Sequence, residues 1–354
     1  MRRHSSGVQV NVENSKYRVV REVARHRMRW GLSRDERVWD VLWMDSGANI
    51  SSYVRQAMRF QRINHFPGMD QIYRKGYLAR AMNKMKQVTA QHGQFSSEEY
   101  DFVPETWLLP GDMEQAKKYF VRDPKGCLIV KPSAGAQGKG ISIALSADDL
   151  VVTQESVAQA YVTNPLLIDG FKFDLRIYAL ILCCNPLRIL IYKEGLVRLC
   201  TEAYAPPSAT NQKSQYMHIT NYAINKSNVD YIPNNANDEG SSKRSLSWLW
   251  NWLEHQKCDP SKIWTKICDI IVKTLISIQA SLAHAYTACK TDNLDNTPFT
   301  CFEILGFDII LKDDFFPVLL EVNHMPSFAI DSDLDNMVKS ELIEDTMRCK
   351  LKVF

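Results

Sequence analysis

Apolar residues recur at two different spacings along this chain. In residues 261–286, isoleucine and leucine return every three or four positions, the period of a helix with one buried face. Residues 171–182, 187–192, 301–311 and 317–322 are short, strongly apolar runs of strand length, and an Asn-Pro turn separates the first two. This mixture predicts an α/β (α+β) protein and argues against an all-helical bundle.

The N-terminal half contains shorter predicted elements. Residues 38–43 have the pattern of a strand, and residues 77–91 carry leucine and methionine at helical spacing. Two apolar runs, 127–131 and 141–145, flank a turn-rich loop and so predict a β-hairpin. Further along the chain, the polar residues 233–244 predict an exposed loop and the segment most prone to disorder.

The strand predicted at residues 171–178 has one charged face. Because side chains alternate between the two faces of a strand, Lys172, Asp174 and Arg176 project together. The solvated face of an ordinary amphipathic strand would show the same pattern. Acidic positions inside two later apolar runs favour a functional site.

Those acidic positions lie near the C-terminal end of the sequence. Asp308 interrupts one apolar run, and Glu321 and Asn323 share a face at the end of the next. A carboxylate in such a run is costly unless it is paired or binds a cation. The three oxygen-bearing side chains suit Mg²⁺ held against nucleotide phosphates. A buried salt bridge from Asp308 to Arg176 or Lys172 is the alternative.

The loop between the two strands of the predicted hairpin is rich in glycine. Residues 132–140 contain three glycines and Lys139, so backbone N–H groups could approach a phosphate while the lysine adds positive charge. The loop differs from the P-loop pattern, because Gly140 follows Lys139 and no helix pattern begins there. Such a loop alone is more often a plain turn.

Composition narrows the range of partners. Forty-three Lys and Arg against 40 Asp and Glu leave a net charge of +3, which gives no reason to expect nucleic acid. The basic run at residues 18–29 is expected to be a solvated helix face. Short apolar runs and a polar N-terminus predict neither a membrane partner nor secretion. Nine cysteines without a Cys-x-x-Cys pair predict reduced thiols in a cytosolic protein.

Seven short motifs follow one another between residues 63 and 328. They are 63–68 (INHFPG), 82–85 (MNKM), 131–141 (KPSAGAQGKGI), 168–178 (IDGFKFDLRIY), 218–222 (HITNY), 302–308 (FEILGFD) and 320–324 (LEVNH). In this order they closely resemble the tubulin tyrosine ligase-like family of ATP-grasp ligases. The resemblance implies an ATP-grasp fold with N-terminal, central and C-terminal subdomains, which we assign to residues 1–75, 76–162 and 163–354.

The resemblance also implies ATP and Mg²⁺ as cofactors and a role for each motif residue. The expected catalytic residues are Lys172, Asp174, Arg176 and Arg198, the two arginines stabilising negative charge on the transferred phosphate and on an acyl phosphate. Nucleotide contacts are expected from Lys75, Lys131, Gln137, Gly138, Lys139, Gly140, Ile141, Gln159, Ala160, Tyr161, Val162, Lys172 and Asp174. Substrate contacts are expected from Arg198, Thr220, Asn221 and His324, and Mg²⁺ ligands from Asp308, Glu321 and Asn323.

The motif NHMPSF at residues 323–328 is similar to a signature of the polyglutamylase subgroup, although Met325 replaces the usual serine. The resemblance therefore implies addition of glutamate to glutamate side chains in tubulin C-terminal tails. A tubulin glycine ligase and a catalytically inactive microtubule-binding module are the alternatives. We expect a monomer that meets tubulin or microtubules and free L-glutamate in the cytoplasm and cytoskeleton, including cilia and basal bodies. Because the chain ends at Phe354, soon after the last motif, we expect weak autonomous microtubule binding.

Overall fold

The computed structural model describes residues 7–92, 97–133, 135, 138–234, 237–290 and 299–351. Within these residues the strands form three sheets, and helices pack against them. This arrangement confirms the predicted α+β class. Each sheet lies within one of the three predicted subdomain ranges, and the boundaries themselves stay a prediction.

The first sheet is small and parallel. Its strands are β1 (Gln9–Asn11), β2 (Gly31–Ser33), β3 (Val41–Leu42) and β4 (Arg62–Ile63), in the order β2-β1-β3-β4. The helices of the first 92 residues are α1 (Arg18–Glu22), which continues into a π-helical turn at Val23–Arg27, α2 (Ile50–Gln56), α3 (Asp70–Tyr73) and α4 (Lys75–His92). Helix α4 confirms the helix predicted at residues 77–91. The strand predicted at residues 38–43 is only β3, because its parallel ladder to β1 holds just two residues.

The second sheet is antiparallel. Its strands are β5 (Thr106–Leu109), β6 (Leu128–Pro132), β7 (Ser142–Ala144) and β8 (Ser156–Ala160), in the order β5-β8-β6-β7. Helix α5 (Met113–Arg122) packs beside it, and short 3₁₀ helices occur at Ser97–Tyr100 and Ala147–Asp149. Strands β6 and β7 pair with each other, which confirms the predicted hairpin.

The third sheet has six strands and carries most of the motif residues. The strands are β9 (Leu167–Ile168), β10 (Phe171–Cys184), β11 (Leu187–Leu199), β12 (Lys243–Ser245), β13 (Glu303–Leu311) and β14 (Pro317–Asn323). Their order is β12-β11-β10-β13-β14, with β9 on one end of β10, and every pairing is antiparallel. The helices of this part are α6 (Gln215–His218), α7 (Tyr222–Asn225), α8 (Leu246–His255), α9 (Pro260–Cys289) and α10 (Asp333–Leu351).

The central strand β10 divides the interior in two. Phe173, Leu175 and Ile177 face the main core, where they join the buried isoleucines of α9. On the opposite face the strand starts with charged residues and continues with Tyr178 and Leu180, which pack in a second core that includes residues of α10. Burying both faces of β10 leaves only its charged beginning free to line a cavity.

Helix α9 begins where its sequence provides a strong cap. The Asp259 carboxylate accepts the backbone N–H of Ser261 (3.0 Å), and Pro260 occupies the first turn, where its missing N–H costs nothing. By length and apolar composition alone this helix could cross a membrane, which the short apolar runs of the sequence did not suggest. Its buried residues pack against the third sheet, as in a core helix.

A β-bulge interrupts the pairing of β13 with β14. Asp308 lies opposite Glu321, and Ile309 lies opposite Leu319, so Leu320 is an extra residue in β14. Leu319 and Val322 belong to the main core, whereas Glu321 and Asn323 lie on the other face. The bulge is thus adjacent to the predicted Mg²⁺ ligands, a common place for such irregularities.

The prediction of an exposed loop at residues 233–244 is wrong for the C-terminal part of this segment. Lys243 and Arg244 are buried, and both belong to β12. Lys243 forms an ion pair with Asp335 (2.8 Å), and Arg244 pairs with Asp169 (3.2 Å) and lies over the ring of Trp248. Polar composition misled the prediction, because these charges are compensated by partners far away in sequence.

Candidate active site

A cleft of about 510 Å³ lies between the second and third sheets. Strands β6 and β8 line one side, and β10, β11, β13 and β14 line the other. Of the predicted site residues that the structure describes, all but Gly140 contribute to its walls. Gln137 lies outside the described residues. Seven basic and three acidic described side chains line the cleft, and this excess of positive charge suits a polyphosphate.

Strand register brings the charged residues of the third sheet together. In the β10–β11 ladder Asp174 lies opposite Arg198, and in the β10–β13 ladder Arg176 lies opposite Asp308. Asp308 in turn lies opposite Glu321. Residues far apart in the sequence therefore lie on two adjacent rungs of the sheet, and together Arg198, Asp174, Arg176, Asp308 and Glu321 form what we call the charged row.

Ion pairs link two arginines and two carboxylates of this row into one network. Arg198 makes a bidentate contact to Asp174 (2.7 and 2.5 Å) and also reaches Asp308 (2.9 Å). Arg176 binds both oxygens of Asp308 (2.6 and 3.0 Å). The Thr220 hydroxyl donates a further hydrogen bond to Asp174 (2.6 Å). The salt-bridge alternative considered for Asp308 is therefore present in the structure, with Arg176.

The network favours the charged forms of Asp308, Arg176 and Arg198. Burial raises the pKa of Asp308, but the guanidinium groups of Arg176 and Arg198 outweigh burial and hold this pKa well below its usual range. Burial disfavours the charge on Arg198, but Asp174 and Asp308 outweigh this effect and raise its pKa well above the ordinary value. Both arginines stay cationic and fixed in position at neutral pH.

Two buried lysines line the cleft from opposite sides, Lys131 from β6 and Lys172 from β10. Lys131 of β6 donates to the Gln159 side chain (2.9 Å), and Lys172 donates to the Tyr161 hydroxyl and to the backbone carbonyl of His218 (both 2.8 Å). Burial lowers the pKa of Lys131 to about 8 and that of Lys172 to about 8. Each ammonium would gain from an anionic ligand that compensates its burial.

The predicted Mg²⁺ ligands lie within reach of one another. The Asn323 amide is 3.3 Å from an Asp308 oxygen and 3.4 Å from a Glu321 oxygen. Rotating this amide by 180° would place its oxygen beside the two carboxylates, because amide N and O are assigned from hydrogen bonds. No cluster of three His, Cys, Asp or Glu that could hold a metal occurs among the described residues. Two carboxylates and an amide nevertheless fit Mg²⁺, which commonly takes its remaining ligands from water and phosphate.

Described residues of the glycine-rich loop also line the cleft. Lys75, at the start of α4, donates to the carbonyl of Gly135 (3.0 Å) and lies 3.5 Å from Glu321. Gly138 has a φ of +75°, and a Cβ there would be 2.4 Å from the side chain of Ile224. The positive φ favours glycine at this position, and a Cβ would in addition displace the end of the Ile224 side chain. Lys139 is exposed at the rim of the cleft.

The predicted substrate residues have different surroundings. The His324 ring stacks on Tyr73, with centroids 3.5 Å apart, and burial lowers the pKa of His324 to about 4, with a smaller contribution from His65. The Asn221 side chain accepts the N–H of Ala223 (2.9 Å) and so caps α7. At neutral pH, His324 offers an uncharged ring to the cleft.

Tyr73 and His218 are among the residues in the walls of the cleft to which the sequence assigned no role. Tyr73 lies just after the INHFPG motif, and His218 opens the HITNY motif. Within HITNY, the resemblance to the family implied substrate contacts only for Thr220 and Asn221. The position of His218 within this motif was the available signal, whereas nothing in the sequence pointed to a ring stacked on His324.

Comparison with known proteins identifies close relatives. Tubulin polyglutamylase TTLL13 of Mus musculus is 43% identical over 338 residues, which are 96% of this chain and 40% of the relative. Tubulin polyglutamylase ttll6 of Danio rerio is 41% identical over 340 residues, 96% of this chain and 42% of the relative. A protein named probable beta-tubulin polyglutamylase of Tetrahymena thermophila is 42% identical over 354 residues, 97% of this chain and 29% of the relative.

The chain thus spans about two fifths of the length of the first two relatives. The family model described as "Tubulin-tyrosine ligase family", whose enzymes are ATP-dependent ligases, matches residues 53–354. This match covers most of the chain, including the charged row and both walls of the cleft. The chain belongs to the tubulin-tyrosine ligase family.

Proposed function

We propose that this chain is an ATP-dependent ligase that adds glutamate to glutamate side chains in tubulin C-terminal tails. The observation that carries the proposal is the cleft, in which an excess of basic side chains faces two carboxylates and an amide suited to Mg²⁺. The relatives are named tubulin polyglutamylases, and these names support the choice of substrate.

In this proposal the nucleotide lies between the two sheets. Lys131 and Lys139 hold its phosphates, the backbone of residues 159–162 contacts the base, and Lys172 and Asp174 flank it. Lys75 reaches the phosphate end from α4. Lys131 and Lys172 line the cleft from buried positions, Lys75 is half-buried, and Lys139 is exposed at the rim.

Asp308, Glu321 and Asn323 would hold Mg²⁺, which when bound neutralises charge on the nucleotide phosphates. The acceptor carboxylate takes the γ-phosphoryl group from ATP, forming an acyl phosphate and ADP. The α-amine of free L-glutamate then attacks the carbonyl carbon, an amide bond forms, and inorganic phosphate leaves. Arg176 and Arg198 stabilise negative charge in both steps, and their ion pairs fix them before the substrate arrives. No covalent enzyme nucleophile is required.

The choice of glutamate rests on the C-terminal motif and on the relatives' names. Thr220, Asn221 and His324 border the part of the cleft assigned to the amino acid. Met325, next to His324, also lines the cleft and is the residue that departs from the subgroup signature. A glycine ligase is the alternative within the same chemistry.

The remaining parts of the proposal concern partners and location. The acidic tubulin tail approaches through basic residues near the cleft, and the enzyme works as a monomer without nucleic acid or membrane. Its place is the cytoplasm and cytoskeleton, including cilia and basal bodies, where tubulin is available.

Mass spectrometry of tubulin after incubation with the purified chain, ATP, Mg²⁺ and one free amino acid at a time tests the proposal. We expect mass increments of glutamate on C-terminal tail peptides, and none from glycine or tyrosine. Lys131→Met should abolish them, whereas Lys117→Met, on the exposed side of α5, should not. Glycine increments would identify a glycine ligase. Microtubule binding without any increment would indicate an inactive module.

A further inference from the structure

His218 contacts two residues that line the cleft, Lys172 and Tyr161. It is 2% exposed and ends α6, close to β8 and β10. Its backbone carbonyl accepts a hydrogen bond from Lys172 Nζ (2.8 Å), and its ring Nδ1 is 3.1 Å from the hydroxyl oxygen of Tyr161. Lys172 Nζ also donates to that hydroxyl (2.8 Å). The three residues therefore form a closed triangle of contacts.

The direction of each hydrogen bond in this triangle follows from the chemistry of the groups. An ammonium only donates, so Lys172 gives one N–H to Tyr161 and one to the His218 carbonyl. The hydroxyl of Tyr161 has one hydrogen, which it can give to Nδ1 of His218 or to the neighbouring Tyr204 hydroxyl. When Nδ1 accepts this hydrogen, His218 carries its own hydrogen on Nε2, which lies 3.4 Å from the Asn211 side-chain oxygen. One neutral tautomer satisfies all these contacts.

This arrangement leaves Lys172 with one N–H for an acceptor in the cleft. Lys172 lines the cleft, and its other two N–H groups are used. A buried donor with a fixed direction discriminates between ligands that offer an acceptor there and ligands that do not. A lysine without the triangle could rotate about its side-chain bonds and lose that discrimination.

We propose that His218 is a positioning residue that fixes Tyr161 and Lys172 against the base of the nucleotide and thereby sets nucleotide affinity and base selectivity. This inference rests on the proposed ATP-dependent function. His218 acts through its neighbours, since its carbonyl holds Lys172 and its ring holds Tyr161.

Equilibrium binding of ATP and GTP to the full chain tests the inference without relying on turnover. His218→Leu removes the acceptor for Tyr161, and we expect ATP affinity to fall about tenfold and the preference for ATP over GTP to shrink, since a buried hydrogen bond is lost. His218→Asn keeps a side-chain oxygen near the position of Nδ1 and should stay within about threefold of wild type. His284→Leu, at an exposed histidine of α9, is the matched control.

Tyr161→Phe provides a second route to the same answer if His218→Leu folds poorly. It removes only a hydroxyl, and its effect should match that of His218→Leu, with the double variant no worse than either single one. Equal losses in the leucine and asparagine variants, or additive losses in the double variant, would overturn the inference. If the variants show the expected losses of ATP binding while the wild-type chain modifies no tubulin, the proposed function is overturned and the role of His218 is supported.

Discussion

Removing Arg198 should destabilise the protein more than removing Arg176, although both are buried arginines of one network. Arg198 serves two carboxylates, Asp174 and Asp308, whereas Arg176 serves only Asp308. In Arg176→Met, Asp308 still has Arg198 at 2.9 Å. In Arg198→Met, Asp174 is left with the Thr220 hydroxyl alone, at 2% exposure.

The expected magnitudes follow from these remaining partners. Leaving a buried carboxylate without its cation costs about 3–5 kcal/mol, so Arg198→Met should lose about that much unfolding free energy. Losing hydrogen bonds to a charge that keeps another partner costs about 1.5–3 kcal/mol, which is the expectation for Arg176→Met. If the slope of unfolding in urea is about 3 kcal/mol/M, the midpoints should fall by about 1–1.7 M and about 0.5–1 M.

Urea unfolding followed by tryptophan fluorescence measures both midpoints, with unchanged slopes as the condition for comparing them. Asp174→Asn added to Arg198→Met removes the uncompensated charge and should recover part of the loss. The reasoning is wrong if the two single variants have equal midpoints, or if the double variant is less stable than Arg198→Met.

Three further predictions concern function. Glu321→Gln should abolish ligation even at raised Mg²⁺, because the substitution removes one anionic ligand while keeping the size of the side chain. The circular dichroism spectrum should stay unchanged. Activity of this variant at ordinary Mg²⁺ would contradict the metal assignment. Lys131 and Lys172 each have a pKa of about 8, so both ammonium groups are present below pH 8 and lost above it. ATP affinity measured by calorimetry should therefore fall by more than about tenfold between pH 7 and 9, and the fall should be smaller in Lys131→Arg, which keeps one of the two charges. Replacing the exposed Arg80 and Lys84 of α4 by Glu should raise the KM for tubulin and weaken the salt dependence of that KM, while ATP affinity stays unchanged. An unaltered KM would show that the tubulin tail binds elsewhere on the protein.

A local sequence pattern was sufficient to predict features that lie within a single strand or helix. Alternation along β10 predicted that Lys172, Asp174 and Arg176 share a face, and all three line the cleft. The helical spacing of residues 261–286 likewise predicted α9, and its apolar residues form the core side. In both cases the signal repeats within a few residues, so a single sequence contains it.

Contacts between distant elements could not be predicted in this way. The pairing of Asp174 with Arg198 depends on the register of β11 against β10, which no local pattern specifies. The stack of Tyr73 on His324 depends on how α3 packs near the end of β14. Lys243 looked like a loop residue because its partner Asp335 lies 92 positions away. Composition cannot distinguish a solvated charge from one whose partner comes from another part of the fold.

The bulge in β14 determines at which position this strand could lose a single residue without changing its pairing with β13. Leu320 is the extra residue, so its deletion would leave Asp308 opposite Glu321 and Ile309 opposite Leu319. Deletion of Val322 would instead shift the preceding residues by one position and turn Glu321 toward the core, because side chains alternate along a strand. Among natural homologues we therefore expect single-residue gaps in β14 at Leu320 and not at Val322.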